Sequence, residues 1–261
     1  IYDADPARLY TALTPTEYQT ISADTVYNPK SWTSNFQAQV TNGSLFDLPA
    51  GPVGIAAVAE YGKQGYDLNP DPLALTDYYY SWKDSDGSGD RSHAAIGGEI
   101  KIPVFSFLTL NGAARYDTFG FAGRDVGKFT YSGGVEIRPV ESLLFRAAYG
   151  TAFRAPDLHY VFTGPGNVER GITDYYLGRQ DDSTATNSDC IENGDYDYGI
   201  VAQRSGNRNL EAETGKTLTA GFVFSPSSRL SLSVDYFNVT MDNQVDDLSV
   251  DQPVRDEADR R

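Results

Sequence analysis

Cysteine and histidine are almost missing from this sequence of 261 residues, which contains one Cys and two His. A single Cys excludes a disulfide framework within the chain and a Cys-rich zinc site. Two His leave little material for a His-based metal site or a catalytic dyad. The sequence also lacks a Ser-x-x-Lys pair, a nucleophile elbow and a His–carboxylate spacing, so it offers no motif for bond chemistry.

Positive charge is scarce as well, because 21 Lys and Arg face 36 Asp and Glu and give a formal net charge of -15. This balance argues against a nucleic-acid partner, since phosphate neutralisation needs clustered Lys and Arg. No window approaches the roughly 20 apolar residues of a transmembrane helix. Aromatic residues make up 13% of the chain, which is too many for a disordered protein.

Both ends of the sequence resemble cut points. The first residue is Ile rather than Met, and no charged-then-apolar leader follows it. The charged residues 256–261 end no recognisable element. The sequence therefore predicts a piece of a longer polypeptide.

Alternation of apolar and polar residues is the main pattern along the chain, and helical periodicity is nearly absent. Each alternating stretch has roughly 9–12 residues, the length that crosses a bilayer as a tilted strand. The eight predicted strands are 32–41, 53–61, 92–102, 107–117, 128–138, 143–153, 214–225 and 230–241.

The connections between these strands alternate between short and long. The short set consists of 103–106, 139–142 and 226–229, each opening with Pro, together with the somewhat longer 42–52. The long set consists of 62–91 and 154–213, with 118–127 as a shorter member. Short turns at one end and long loops at the other are typical of an outer-membrane barrel. A soluble β-sandwich has no reason to sort its loops in this way.

Alternate positions along each predicted strand separate apolar from charged residues, so that each kind occupies its own face. In the second strand Val53, Ile55 and Ala57 share one face, while Glu60 is on the other. Lys216, at a strand start, is the exception to this separation. A Lys or Arg on the lipid face costs about 2–4 kcal/mol at the bilayer midplane, which explains the sorting. The charged residues of the other face are predicted to line the barrel interior, where they form ion pairs and contact a plug or a hydrophilic substrate. His93 is predicted to be a hydrogen-bonded residue of the same wall. The charged residues are Glu99, Lys101, Arg115, Asp117, Glu136, Arg138 and Arg146.

Aromatic residues of the apolar parity gather at the long-loop end of the predicted strands. Such an arrangement is typical of an aromatic girdle at the lipid headgroups. A water-soluble all-β protein with its apolar face on a second sheet is the alternative, but it does not predict aromatics at one end only. The girdle residues are Trp32, Tyr61, Tyr116, Phe129, Tyr131, Tyr149 and Tyr236.

Two segments, 143–162 and 206–245, contain recognisable motifs at 149–156 and 207–213. They resemble the later barrel strands of TonB-dependent outer-membrane receptors. In the family pattern, a Tyr-Gly-x-x-Phe-Arg-Ala-Pro motif ends one strand, and an Asn-Pro-Asn-Leu-x-x-Glu motif opens the next strand after a long loop. The stretch 48–61 is also similar to a mid-barrel hairpin of the family. Arg208 and Ala212 replace residues that are usually Pro, which predicts a less rigid loop anchor. The matching residues are Tyr149, Gly150, Phe153, Arg154, Ala155 and Pro156 in the first motif, and Asn207, Asn209, Leu210 and Glu213 in the second.

The resemblance implies an all-β, antiparallel transmembrane barrel segment of about eight strands from a barrel that has 22 strands in the family. It also implies a plug and a TonB-coupled import of siderophores, haem, cobalamin or oligosaccharides. Neither plug nor TonB box is recognisable in this sequence. The implied partners are the lipid bilayer, lipopolysaccharide, the remaining strands and plug of the same receptor, the TonB complex and a small-molecule or oligosaccharide substrate, all at the cell outer membrane.

The loop 154–213 contains 11 acidic residues, 5 Arg and 5 Tyr. In the family such loops capture ligand, and Tyr and Arg offer amphipathic contacts and bidentate hydrogen bonds. A solvated surface loop is the alternative. The excess of acidic over basic residues favours cationic or metal-bearing ligands, or lipopolysaccharide bridged by divalent ions. The substrate-binding candidates are Arg154, His159, Tyr160, Arg170, Tyr175, Tyr176, Tyr196 and Tyr198.

No cofactor is predicted, apart from calcium at two weak acidic clusters. Residues 84–90 alternate oxygen ligands with Gly, at Asp84, Asp86, Ser88 and Asp90, but lack the terminal Glu of a calcium loop. An acidic turn is the plainer reading. The second cluster consists of Asp189, Glu192, Asp195 and Asp197.

Two single residues leave alternatives open. Haem receptors of the family place a ligating His where His159 lies, but a packing role is favoured. Cys190 has no partner in this sequence, although relatives often carry a disulfide in this loop. Three alternatives remain for Cys190: a disulfide with a residue beyond 261, a free thiol, or a disulfide with another molecule.

Three functions follow from these readings. The first is a TonB-dependent receptor without enzymatic activity. A passive porin or adhesin is the second function. The presence or absence of a plug segment would distinguish it from a TonB-dependent receptor. An outer-membrane barrel enzyme is the third, and it would need His93 or His159 in a catalytic group.

Overall fold

The computed structural model describes residues 7, 10–80 and 82–260, and its main feature is a meandering antiparallel sheet of eight strands. From edge to edge the order is β1, β2, β4, β5, β6, β7, β10 and β11, while β3, β8 and β9 form a smaller sheet in the order β3-β8-β9. The strands are β1 (Lys30–Leu48), β2 (Gly51–Asp67), β3 (Trp82–Lys83), β4 (Ser88–Phe105), β5 (Leu108–Phe121), β6 (Arg124–Val140), β7 (Leu143–Arg154), β8 (Gly166–Thr173), β9 (Asp197–Arg204), β10 (Glu213–Ser227) and β11 (Leu230–Asp242).

The eight predicted strands are confirmed, but most of them are longer than predicted. β2 has 17 residues, for example, because it continues past Tyr61 to Asp67 at the long-loop end. The sequence prediction stopped where the apolar alternation stopped, whereas the hydrogen-bonded ladder does not need an apolar face to continue. The extra residues lift the loops away from the apolar part of the sheet.

Proline marks the short-turn end of the sheet. The register shifts next to Pro103 in β4, Pro139 in β6 and Pro226 in β10. Pro lacks the N–H that a ladder needs, so it is tolerated at a bulge beside a turn. The predicted turns therefore shrink to two residues each, since every one of these Pro lies inside its strand.

The predicted loop 118–127 is wrong, because β5 and β6 meet in a two-residue hairpin. Ala122 and Gly123 form the turn with φ of 52° and 76°. Two positive φ values define the turn that matches the twist of a hairpin. Ala is rarely found at such a φ, so the composition of this segment carried little sign of the turn.

One face of the eight-stranded sheet, here called the apolar face, is open. Its residues follow the predicted parity, since Ile96 is directly opposite Ala59 and Tyr116, and Tyr116 is opposite Phe129. Ile96, Tyr116 and Phe129 are 65%, 48% and 61% exposed. No helix or second sheet of the described residues covers these side chains. Val53, beside the β1 bulge, is an exception and is buried.

The other face, here called the polar face, carries the strand charges. Glu60 is opposite Ala95, which is opposite Asp117, and Asp117 is opposite Lys128. The predicted parity holds across these four strands. Phe153 departs from it, because its ring contacts Phe119 on the polar face at 5.9 Å between centroids.

A seam between β6 and β7 explains the position of Phe153. The ladder between these strands ends at the pair Ser132 and Gly150, although β6 continues to Arg124. The Thr151 hydroxyl terminates the ladder by accepting from the Tyr131 amide at 2.9 Å and donating to its carbonyl at 3.3 Å. The upper end of β7 thereby separates from β6 and stays paired with β10.

The long loops contain regular structure that the sequence did not predict. β3 comes from the first long loop and pairs with β8 of the second, through Trp82 with Val168 and Lys83 with Asn167. An antiparallel bridge between Gly87 and Thr163 joins the same loops. The helices are α1 (Pro15–Ile21), α2 (Leu158–Phe162), α3 (Tyr175–Asp181), α4 (Asn187–Asn193) and α5 (Asp251–Arg260), with a 3-10 helix at Pro72–Leu75.

Residues 256–261 were expected to end no recognisable element, but all of them that the structure describes belong to α5. Cys190, Tyr175 and Ala258 form a buried cluster that unites α3, α4 and α5. An added Cβ at Gly178 would lie 2.4 Å from the Cys190 sulfur, so Gly permits this close approach. We name the joined segments 68–80, 82–87, 155–212 and 243–260 the loop cap.

The helices of this protein are short and lie outside the main sheet. Among the described residues, none is long and apolar enough to cross a bilayer.

Candidate functional site

A network of charged side chains occupies the polar face next to the loop cap. Arg115 donates to Glu60 at 2.5 Å and to both Asp117 oxygens at about 3.0 Å. His93 Nε2 lies 2.8 Å from Asp117 Oδ1, and the His93 ring stacks on Phe119 at 4.3 Å. The Asp117 side chain is only 9% exposed, so its charge depends on these partners.

The predicted pairing of interior charges is thus confirmed for Arg115 and Asp117, and His93 is the hydrogen-bonded wall residue that the sequence predicted. A second pair joins Arg146 and Asp235 at 2.8 Å, half-exposed in both partners. Near the short turns, Asn111 donates to Glu136 at 3.2 Å. Among the described residues, the predicted pairing is thus seen for two groups of charges on this face, while no ion pair is seen for Glu99, Lys101 and Arg138.

The two family motifs meet at the base of the loop cap. Arg154 of the first motif contacts Glu213 of the second at 3.5 Å and pairs with Asp157. Glu213 is buried and also accepts the amide of Val245, from the segment after β11, at 2.7 Å. The Glu213 carboxylate therefore links the end of β7, the start of β10 and the segment after β11. We name the group of Arg154, Glu213 and Val245 the motif clamp.

Further contacts extend the motif clamp to the strand ends. Ala155 and Pro156 are buried, and the Pro156 carbonyl accepts from Arg91 at 2.8 Å. Arg124 of the β5–β6 hairpin donates to the Leu210 carbonyl and stacks over Phe121. Neither contact was predicted, because each joins residues more than 60 positions apart.

The second motif forms its own local turn. The side chain of Asn207 accepts from the Asn209 amide at 2.9 Å, an Asx turn that replaces the rigidity of the missing Pro. The Arg208 guanidinium lies over the Phe162 ring at 5.9 Å. The expected looseness of this anchor is therefore offset by a turn and a stacking contact.

The substrate-binding candidates are divided between surface and interior. Arg154, His159, Arg170 and Tyr198 are exposed, and Tyr198 is the most exposed Tyr of the candidates at 46%. Tyr175 is 2% exposed in the cap cluster and is a packing residue here.

The three remaining Tyr candidates are half-buried and hydrogen-bonded. Tyr196 donates to Asp181 at 3.1 Å, and Tyr176 accepts from Gln180 at 2.8 Å. The carbonyl of Tyr160 accepts from Asn207. The hydroxyls of Tyr176 and Tyr196 and the backbone of Tyr160 thus form hydrogen bonds within the cap.

His159 lies in α2, with Nδ1 at 3.0 Å from the Thr163 hydroxyl and its ring 6.2 Å from that of Tyr66. His159 is itself exposed, so the choice between a packing role and a ligand role stays a prediction.

The acidic clusters proposed for calcium are not gathered. Within residues 7, 10–80 and 82–260, no three His, Cys, Asp or Glu side chains converge as a metal site would require. Asp84 and Asp86 instead accept from the amides of the residues that follow them. Asp189 caps α4, and the Thr186 amide and hydroxyl hold the pKa of its carboxyl below the usual range.

A cavity of about 490 Å³ opens on the polar face between the charge network and the motif clamp. Arg91, His93, Phe119, Phe153 and Arg154 are among its lining residues. This volume falls within the roughly 300–1,000 Å³ of small-molecule pockets. The sequence analysis did not identify Arg91 as a candidate site residue. It could have done so, because Arg91 lies two residues before His93 and therefore on the same, polar face of the strand.

Replacing Glu213 with Leu tests the motif clamp. We expect the cap to open more readily, by about 1–3 kcal/mol, because the Val245 amide and Arg154 lose their buried acceptor. Limited proteolysis of the full-length receptor should then cleave within 155–212 faster, while the barrel stays intact. Glu211→Leu, two residues earlier and exposed, is the matched control, and equal cleavage rates in both variants would contradict the clamp.

An antiparallel sheet with an open apolar face, an ion-paired polar face and long loops joined at one end is a section of a transmembrane β-barrel. The comparison with protein families agrees. The chain belongs to the family described as TonB dependent receptor-like, beta-barrel, whose model matches residues 2–258. Members of this family are transporters without enzymatic activity, so the predicted absence of bond chemistry is confirmed at the family level.

Solved structures share the fold at low sequence identity. The siderophore receptor PirA of Pseudomonas aeruginosa is 17% identical with a TM-score of 0.54, covering 83% of this chain and 33% of its own. A mutant ferric enterobactin receptor, PfeA, from the same organism, bound to enterobactin, is 16% identical with a TM-score of 0.53, covering 81% and 27%.

The hemophore receptor HasR of Serratia marcescens, a double mutant in complex with its hemophore HasA and heme, is 18% identical with a TM-score of 0.55. The match covers 84% of this chain and 34% of HasR. The chain thus spans about a third or less of these receptors. No curated protein matches the sequence.

Proposed function

We propose that this chain is part of the barrel wall and extracellular loops of an outer-membrane receptor that imports a scarce nutrient by TonB-dependent transport. The observation that carries the proposal is the division of one sheet into an open apolar face and a polar face that carries the strand charges. A sheet with lipid on one side and water or protein on the other needs this division.

In this proposal the apolar face contacts lipid and lipopolysaccharide, and β1 and β11 pair with the remaining strands of the receptor. The polar face receives a plug, which the TonB complex moves at the expense of inner-membrane energy. The loop cap captures the substrate above the polar face. Siderophores and haem are favoured substrates because the similar structures are receptors for siderophores and for a hemophore with heme, with cobalamin or an oligosaccharide as further classes.

Uptake by cells that carry the full-length receptor tests this function. Cells with the receptor should accumulate radioactive iron from a siderophore or haem, and accumulation should stop when the proton motive force is collapsed or the energy-coupling complex is deleted. Uptake that continues without energy would identify a passive porin instead. Absence of any receptor-dependent uptake of iron, cobalamin or oligosaccharide would contradict import altogether.

The role of the loop cap is tested in the same cells. Replacing residues 166–204 with a short Gly-Ser linker should lower ligand binding while leaving the barrel in the membrane, because β10 and β7 stay paired without the loop. Surface abundance of the receptor is the control. Unchanged uptake by the shortened receptor would show that this loop does not capture the substrate.

A further inference from the structure

Arg91 differs from the other arginines of the 490 Å³ cavity because it has no acidic partner. Arg115 pairs with Glu60 and Asp117, and Arg154 pairs with Asp157 and Glu213. In the part of the chain that the structure describes, no carboxylate lies within the 4.0 Å of an ion pair with Arg91.

Neutral groups fix the Arg91 guanidinium in place. Nη1 donates to the Pro156 carbonyl at 2.8 Å, and Nε and Nη2 donate to the Gln64 side-chain oxygen at 2.8 Å, in the amide orientation that satisfies both groups. The guanidinium carbon lies 5.0 Å from the centroid of Phe119, which orients its plane. A guanidinium has five N–H groups, so these three bonds leave two for another acceptor.

The carboxylates around the cavity do not compete for these donors. Asp117 receives Arg115 and His93, Asp157 receives Arg154, and Glu213 is buried against Arg154 and Val245. Charges paired at about 3 Å largely cancel one another at longer range. Among the described cations that line the cavity, Arg91 is therefore the one without a carboxylate at contact distance.

We propose that Arg91 forms an anion subsite on the barrel wall, which holds an oxyanion group of the imported ligand beneath the loop cap. The group presents paired anionic oxygens, as a carboxylate does, and receives the two unused N–H groups. This subsite rests on the proposed import function. It also adds a specificity: the receptor prefers chelates with exposed carboxylates over uncharged chelates of similar size.

The preorientation of Arg91 supports this specificity. A guanidinium that is already held by Pro156, Gln64 and Phe119 loses little side-chain freedom when an oxyanion binds. Bidentate bonds between guanidinium and carboxylate are short and about twice as strong as neutral hydrogen bonds. An uncharged ligand gains neither advantage at this position.

Equilibrium binding to de-energised cells that display the full-length receptor tests the subsite. The probes are ferric citrate, haem, haem dimethyl ester and an uncharged ferric trihydroxamate, so that the two carboxylate sources are measured separately. For a carboxylate-bearing probe, Arg91→Gln should weaken binding about 10- to 100-fold, as expected for a lost charged hydrogen-bond pair. The ester and the trihydroxamate should change less than about threefold.

Matched variants separate binding from structure. Arg229→Gln removes the same charge in the turn at the opposite end of the sheet and should leave every affinity unchanged. Arg91→Lys keeps the charge without the paired N–H groups and should recover part of the affinity for the carboxylate probe. Surface abundance shows that each variant is assembled.

Two results would overturn the subsite. Arg91→Gln could leave the affinity for every carboxylate probe unchanged, or it could weaken charged and uncharged probes equally through the Pro156 contact. Energised uptake separates this failure from failure of the proposed function. If the receptor imports chelates equally well with and without Arg91, only the anion subsite is contradicted. If it imports none of its candidate nutrients, both the subsite and the proposed import function are contradicted.

Discussion

Introducing Arg at Ile100 is expected to destabilise the full-length receptor in a bilayer by about 2–4 kcal/mol, the cost of a basic side chain near the midplane of the lipid face. Ile100 lies on the apolar face opposite Ile55 and Gly112 and is 41% exposed. Its position between the short turns and the predicted aromatic girdle is expected to lie in hydrocarbon. No acidic partner or water would be available to an Arg there.

The measurement is urea unfolding of the receptor in phospholipid vesicles, followed by the shift in gel mobility between folded and unfolded barrel. Gln39→Arg is the control, because Gln39 lies on the polar face opposite Val58 and lines a cavity there. We expect less than about 1 kcal/mol for the control, as for a surface substitution. Equal destabilisation by both variants would contradict the assignment of lipid to the apolar face.

Replacing Arg115 with Met should destabilise the barrel by about 2–4 kcal/mol, since Glu60 and Asp117 then lose their shared cation. The expected cost is below that of a fully buried pair, because the Arg115 side chain is 33% exposed and water screens part of the charge. Asp117 would keep only His93 as a partner. Urea unfolding in vesicles is again the measurement.

Arg146→Met is the matched control for Arg115→Met. Its pair with Asp235 has the same chemistry, but both side chains are about half exposed, so its loss should destabilise the barrel far less than Arg115→Met does. Combining Arg115→Met with Glu60→Gln and Asp117→Asn should recover part of the lost stability, because no unpaired carboxylate remains. A triple variant no more stable than Arg115→Met would show that packing, not charge, holds this network.

The strands of the barrel wall were predictable because their signal is local. Lipid excludes charge from one side of each strand, so parity alone placed Ile55 and Glu60 on opposite faces. Neighbouring strands in a meander are also neighbours in sequence, which made the sheet order predictable without long-range information. The family motifs identified the protein class, since Phe153 to Pro156 and Asn207 to Glu213 stand in a specific order.

The loop cap was not predictable in the same way. Its sequence is polar and acidic, without a sustained period, and its helices and small sheet are stabilised by contacts between separate loops. β3 has only two residues, and it exists because β8 lies beside it. Likewise, α5 packs against α3 through Tyr175 and Ala258, a contact that no local sequence pattern predicts.

The sequence by itself determined that this protein is a membrane barrel segment, because hydrocarbon on one flank forces a period-2 separation of apolar and charged residues that is readable residue by residue. The tertiary structure alone decided which charges become partners, how the motifs close the cap around Glu213, and that Arg91 is left with neutral partners beside a cavity. Those outcomes depend on distances between residues far apart in the chain. Such distances are fixed by strand register, by the β6–β7 seam and by the packing of the loops, and no short stretch of sequence encodes them.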